Sequence, residues 1–210
     1  MKHFGDQLSY RIKELQNPSV VGLDPRLKDI PSYLKDEAIN KFGKTPEAVA
    51  AAILMFNRGL IDAIFDIVPA VKPQIAFYEQ YGHAGLKAYE DTTAYAKQKG
   101  MMVIGDVKRG DIGSTAEAYA DGHLGMVDVF GTPTPMMNAD AVTVNPYLGT
   151  DSIEPFTKVC KEQGKGIFAL VRTSNKSADE IQGQAVGDHL IDEVVAGLVE
   201  GWGRDLIGES

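Results

Sequence analysis

Short, almost continuously apolar runs alternate with longer helical patterns along this chain. The runs fall at residues 19–24, 68–77, 101–107, 140–145 and 166–171. Apolar stretches of that length without a polar face predict parallel strands covered on both sides. The segments between them carry helix signals. Thr45 and Pro46 have the types of an N-cap and a first helical residue, ahead of a helix predicted over 48–67. A second helix is predicted over 83–99, with Gly100 where a left-handed cap is wanted. Ser114 with Glu117, and Asp151 with Glu154, have capping-box spacing. Pro155 falls in the opening turn of the second of these helices, where a missing donor is tolerated. A last helix is predicted over 188–206, and residues 131–138 and 173–187 read as long loops.

Repeated strand–helix units imply a parallel sheet, either open or closed into a (β/α)₈ barrel. Neither a Gly-x-Gly-x-x-Gly turn nor a P-loop follows any run, which weakens dinucleotide and nucleoside-triphosphate readings. Polar residues follow or interrupt the runs instead: Asp24, Lys72, Asp106 with Lys108, Asn145, and Arg172-Thr173-Ser174. Such residues converge only if the strands close into a ring, and the C-terminal rim of a barrel is where active sites sit. The expected class is therefore α/β, a TIM barrel, with residues 1–210 as a single domain. Barrels usually take about 250 residues. This sequence is thus expected to supply only the first five or so β/α units, as an incomplete barrel.

A net charge of -8 argues against a general nucleic-acid or anionic-membrane surface, though a local cationic pocket remains compatible with it. The single cysteine, Cys160, can form no internal disulfide and reads as a packing residue in a reducing compartment. No apolar stretch approaches the roughly 20 residues of a membrane span, and the N-terminus lacks a signal-peptide core. A soluble, cytoplasmic protein is expected. His3, His83, His123 and His189 show no metal-ligand spacing, so no metal site is expected.

The run at 101–107 leads into Asp106, Lys108 and Asp111. Alternation on a strand puts Asp106 and Lys108 on one face and Val107 on the other. Buried charges must be paired, and each pair at ~4 Å is worth about 4 kcal/mol at an effective dielectric near 20. Two carboxylates beside Lys108 would keep it protonated, able to donate a proton to, or stabilise, developing carbanion charge. A structural ion-pair network at the rim is the plainer alternative. Lys72 inside an apolar run is open to a snorkelling reading, and Asp24 to a turn-forming one. Asn145-Pro146-Tyr147 reads as strand termination.

Asp106-Val107-Lys108-Arg109-Gly110-Asp111-Ile112-Gly113-Ser114-Thr115 resembles the Asp-x-Lys-x-x-Asp-Ile-Gly-x-Thr signature of the orotidine 5′-phosphate decarboxylase family. The likeness extends to Gly22-Leu23-Asp24, Val71-Lys72 and Arg172-Thr173-Ser174. Pro25-Arg26, residues 77–82 and residues 145–149 are similar to the longer bacterial branch. The resemblance implies decarboxylation of orotidine 5′-monophosphate to uridine 5′-monophosphate with no metal and no organic cofactor. Lys108 would protonate C6 and Asp106 would lie near the departing carboxylate. Lys72 would complete the charge network and bind ribose, while Asp24 would hold a ribose hydroxyl and Ser174 would contact the pyrimidine. Asp111, Ile112 and Thr115 would reach into the neighbouring subunit's site, making a homodimer a catalytic requirement.

The family's phosphate-gripping Gln, Gly and Arg near its last two strands have no counterpart in residues 1–210. This polypeptide is therefore expected to be inactive or very weak and its full-length parent active. Three other readings stay open. They are a magnesium-dependent sugar-phosphate barrel lyase, which would need a further carboxylate where Lys72 stands, a Schiff-base aldolase on Lys72 or Lys108, and a non-catalytic barrel fragment.

Overall fold

The computed structural model describes residues 3–209. Five strands, β1 (Val20–Leu23), β2 (Ala70–Pro73), β3 (Met102–Arg109), β6 (Ala141–Val144) and β7 (Gly166–Ala169), form one sheet in the order β1-β2-β3-β6-β7. Every pairing within it is parallel. Around and between them run α1 (Phe4–Leu15), α2 (Ser32–Phe42), α3 (Pro46–Ile64), α4 (Ala76–Glu79), α5 (Gly82–Gln98), α6 (Gly113–His123) and α7 (Thr150–Gln163), with α8 (Ile191–Gly203) last. Two small antiparallel hairpins complete the fold: β4 (Val127–Val129) with β5 (Thr132–Thr134), and β8 (Ala185–Val186) with β9 (His189–Leu190). Each of the five predicted runs holds one strand of the sheet, β3 continuing to Arg109 beyond the end of its run.

The runs are apolar on both faces because both faces are covered. Val71 and Val103 pack with Ile61 and Ala96 of the helical layer, and Val142 and Val144 pack with Ile153 and Phe156. On the other face, Ala70, Met102, Ile104 and Ala141 gather around Phe4 and Leu8 of α1. Phe4 lies against Gly166 so closely that a Cβ there would stand 2.4 Å from its ring. Helix α1 thus seals the end of the sheet opposite the strand C-termini. Residues at the two outer strands have fewer neighbours: Val20 of β1 is 39% exposed and Phe168 of β7 is 43% exposed.

Helix α3 starts as its sequence predicts, with Thr45 Oγ1 accepting the Ala48 N–H at 3.3 Å and Pro46 in the first turn. Gly100 is left-handed (φ 79°) after α5, as expected. Neither capping box forms. Helices α6 and α7 begin at Gly113 and Thr150, with Ile112 and Gly149 as N-caps and no side-chain cap, so Ser114 and Asp151 are already inside. Pro155 consequently sits in the second turn of α7 rather than in its opening turn. The segment read as a loop over 131–138 includes β5, and 173–187 contains a 3-10 turn and β8. That second hairpin delays the last helix to Ile191, and the Glu193 carboxylate then accepts the Leu190 N–H at 2.8 Å. Helices α1 and α2 fall in segments for which no element was predicted, and α4 begins inside the end of the run at 68–77. Cys160 is buried in the main core, as its helical surroundings suggest.

Candidate active site

At the C-terminal ends of β2, β3 and β6, four side chains converge on Asp106, which is 6% exposed. Its Oδ2 accepts from Lys72 Nζ at 2.9 Å and from Gln74 Nε2 at 3.0 Å. Its Oδ1 accepts from Lys108 Nζ at 2.5 Å and from Thr143 Oγ1 at 2.9 Å. Both oxygens therefore take two donors each, which fills the hydrogen-bonding capacity of a carboxylate. Burial alone would raise the Asp106 pKa. Hydrogen bonds from Lys108, Lys72 and Thr143 outweigh that effect and hold the carboxyl below its ordinary range. Two cations around one anion leave a local excess of positive charge. The lysine side chains are 36% and 46% exposed, so both remain open to solvent beside the buried carboxylate.

The backbone that presents Lys108 is irregular. Register between β3 and β6 passes from Gly105↔Val142 to Arg109↔Val144, so the β3 segment between these pairs is two residues longer. Within this bulge Lys108 is left-handed (φ 47°), a conformation costing a side-chain-bearing residue roughly 1–2 kcal/mol. Two glycines allow the surroundings to close in. A Cβ on Gly105 would meet the Tyr89 hydroxyl at 2.7 Å, and one on Gly110 would meet the Asn145 carbonyl oxygen at 2.6 Å. Beside the bulge, Arg109 donates to the Glu79 carboxylate and lies over the Tyr119 ring at 5.3 Å. Its Nε is 3.5 Å from His123 Nε2. Burial, with the Arg109 cation adding to it, pushes the His123 pKa down to about 4.

The sequence-nominated residues divide into three groups. Lys72, Asp106 and Lys108 meet as one ion-paired array. Asp24 follows β1 and Ser174 follows β7, both exposed at the same end of the sheet as that array. Asp111, Ile112 and Thr115 make no hydrogen bond or ion pair with that array among the described residues. Among the described residues no ion pair joins Lys108 to Asp111, whose Oδ1 instead accepts the Ile112 N–H at 2.8 Å. The expectation that Lys108 is flanked by both acids is therefore corrected within this chain: only Asp106 reaches it. Ile112 is 54% exposed and Thr115 is also exposed. Asn145 does more than end a strand, since its Oδ1 accepts the Tyr147 N–H at 3.1 Å and starts a 3-10 turn.

Gln74 and Thr143 escaped the sequence reading, and their only signal was a polar residue near the end of an apolar run. Among the described residues no group of three or more His, Cys, Asp or Glu side chains is arranged to hold a metal ion. An apolar hollow of about 370 Å³ lies between α2 and α3, lined by Leu27, Ile39 and Val49, and holds none of the site charges. No helix among the described residues is long and apolar enough to cross a membrane.

Five sequential β/α units with a parallel sheet, and a Lys–Asp–Lys array at the C-terminal ends of its strands, place the chain in the α/β class. The chain belongs to the Orotidine 5′-phosphate decarboxylase / HUMPS family, whose pattern it matches over residues 20–202. It is 44% identical over 199 residues to orotidine 5′-phosphate decarboxylase of Rhodopirellula baltica, covering 95% of this chain and 64% of that one. The corresponding protein of Caldicellulosiruptor saccharolyticus is 37% identical over 210 residues, with 100% of this chain and 69% of the relative aligned. This chain thus spans about two thirds of the length of these relatives. Among solved structures, that of Leishmania donovani OMP decarboxylase superposes with a TM-score of 0.73 at 33% identity, covering 97% of this chain and 67% of that one. The TIM-barrel class expected from the strand rhythm is the class of these structures.

Proposed function

We propose that this chain carries the carbanion-handling part of a cofactor-independent orotidine 5′-monophosphate decarboxylase, acting in the cytoplasm in de novo pyrimidine synthesis. The observation that supports this most is the single Asp106 carboxylate held between the Lys72 and Lys108 ammonium groups at 2.9 and 2.5 Å. Loss of carbon dioxide from C6 leaves an electron pair in an sp² orbital that the pyrimidine π-system cannot delocalise. Fixed positive charge must take the place of an electron sink, and it must be in position before the bond breaks.

In this reading Lys108 stabilises the developing charge and delivers its proton to C6. Asp106 adjoins the departing carboxylate and orients both lysines. Lys72 binds ribose from the far side of Asp106, Asp24 holds a ribose hydroxyl and Ser174 contacts the ring. Ile112 and Thr115, both exposed, and the half-buried Asp111, not ion-paired with Lys108, complete the site of a second subunit in a homodimer. Residues 1–210 act as one domain.

The test is release of carbon dioxide from orotidine 5′-monophosphate by a chain of the relatives' length and by its Lys108→Ala variant. Loss of at least about 10³-fold in kcat is expected, as for removal of a principal electrostatic group. Unchanged turnover in Lys108→Ala would leave the array a structural ion-pair network.

A further inference from the structure

The geometry points to Thr143 as a positioning residue that locks the Asp106 carboxylate to the backbone of Lys108 through one hydroxyl group. This rests on the decarboxylase reading above and extends it to a residue that carries no charge and stands on a different strand.

A threonine hydroxyl has one proton and two acceptor lone pairs. Here all three are used. The proton goes to Asp106 Oδ1 at 2.9 Å, and the oxygen accepts the N–H groups of Val107 and Lys108, each at 2.9 Å. On a regular strand, consecutive N–H groups point to opposite sides and each finds a carbonyl on a neighbouring strand. In the β3 bulge the two successive N–H groups of Val107 and Lys108 converge on one side, a concave arrangement suited to an oxygen. The register jump of β6 leaves Thr143 lying within the bulge, between the paired residues Val142 and Val144. The side-chain oxygen thus serves two donors that the ladder has released.

The consequence is a rigid link. The direction of the hydroxyl proton is fixed because both lone pairs are taken by amides, so it can only donate to the carboxylate. The same atom that holds Asp106 also holds the peptide planes on either side of Val107, from which the Lys108 backbone departs. Lys108 is therefore held at both ends, its ammonium by Asp106 Oδ1 and its amide by the hydroxyl that donates to that same oxygen. Around Asp106 the other charged or polar groups among the described residues are Lys72 and Gln74, from β2 and the segment after it, and the Tyr89 hydroxyl of α5. None hydrogen-bonds to the backbone of Lys108, so none can replace this link.

Thr143→Val keeps the side-chain shape and removes the hydroxyl, and Thr143→Ser keeps the hydroxyl. Amide hydrogen exchange at Val107 and Lys108 in this chain reads the link without reference to activity. Exchange at both should accelerate at least about 10-fold in Thr143→Val and stay near wild type in Thr143→Ser. In a chain of the relatives' length, Thr143→Val should lower kcat about 10- to 100-fold with KM within about threefold, and Thr143→Ser should restore it. The acid limb of the rate profile should move upward in Thr143→Val, because Asp106 loses a donor. Unchanged exchange, or accelerated exchange with wild-type turnover and an unmoved acid limb, would overturn the assignment. Absence of decarboxylation in the unsubstituted long chain would instead strike the parent reading, and the exchange measurement would still decide whether the link exists. Circular dichroism of both variants separates loss of the link from loss of the fold.

Discussion

The Lys108 ammonium meets Oδ1 of Asp106 at 2.5 Å although the two residues are separated by one position in the same strand. Same-face neighbours on a regular strand point out side by side and do not fold back on each other. The left-handed turn at Lys108 (φ 47°) is what aims the long side chain back across the carboxylate. Asp106→Asn leaves two ammonium groups facing a neutral amide. We expect kcat to fall by at least about 10³-fold, with the fold intact by circular dichroism. Lys108→Arg should not rescue Lys108→Ala, since a planar guanidinium has a different reach and does not give up its proton.

Gly110 lies directly after Lys108 and Arg109, and the Asn145 carbonyl oxygen stands where its Cβ would be, at 2.6 Å. Gly110→Ala must push β3 and the chain after β6 apart. A shift of about 1 Å at a reacting group costs on the order of 10²-fold in rate, so a drop of that size in kcat is expected without unfolding. Steady-state kinetics with a thermal melt would check it.

His123 and Asp106 are two of the groups through which stability should depend on pH. His123, 6% exposed, has its pKa lowered to about 4 in the fold. Above the ordinary value near 6.5 it is neutral in both states and has no effect. Between about 6.5 and 4 the unfolded chain takes up the proton first, so stability is lost as pH falls, by about 3 kcal/mol in total. His123→Phe should abolish that slope in urea unfolding at pH 7, 5.5 and 4.5. Asp106 acts lower. Its depressed pKa contributes stability above the usual carboxylate range, lost as pH falls through its folded-state value.

Cys160 is 1% exposed, and burial pushes its thiol up to about 12. The reactive species is the thiolate, so the folded protein should resist a disulfide reagent at pH 8 and react fully in denaturant. Prompt labelling in native buffer would contradict this packing.

A shared site makes a distinctive prediction for mixtures. In a chain of the relatives' length, Lys108→Ala and Asp111→Ala dimers should each be nearly inactive. Dissociating and reassociating them together should regenerate some sites with Lys108 from one subunit and Asp111 from the other. No recovery despite confirmed exchange would mean that each subunit is self-sufficient.

The strands and the charged array were legible because few alternative structures fit the residue patterns that encode them. An apolar run long enough for a strand but not a helix, repeated with helical patterns between, is a β/α rhythm. Lys72 and Asp106 were conspicuous as charges within such runs. Gln74 and Thr143 were not, because a neutral polar residue near a strand end is ordinary, and their role depends on which residues face each other across strands. The two-residue offset between Gly105 and Arg109 is a property of pairing, invisible in one strand alone. The capping boxes failed for a related reason. The left-handed Gly113 (φ 52°) and Gly149 (φ 87°) start the turns earlier than Ser114 and Asp151 would. Asp111 was assigned to Lys108 on proximity in sequence, but Gly110 and the turn beyond it carry its side chain to the Ile112 amide.

All four donors to Asp106 come from positions 72 to 143, on strands or strand ends that are immediate neighbours in the sheet. During synthesis the whole polar cluster leaves the ribosome before α7 and β7 do. Every partner of the buried carboxylate has therefore been synthesised while α7 and β7 are still to be made.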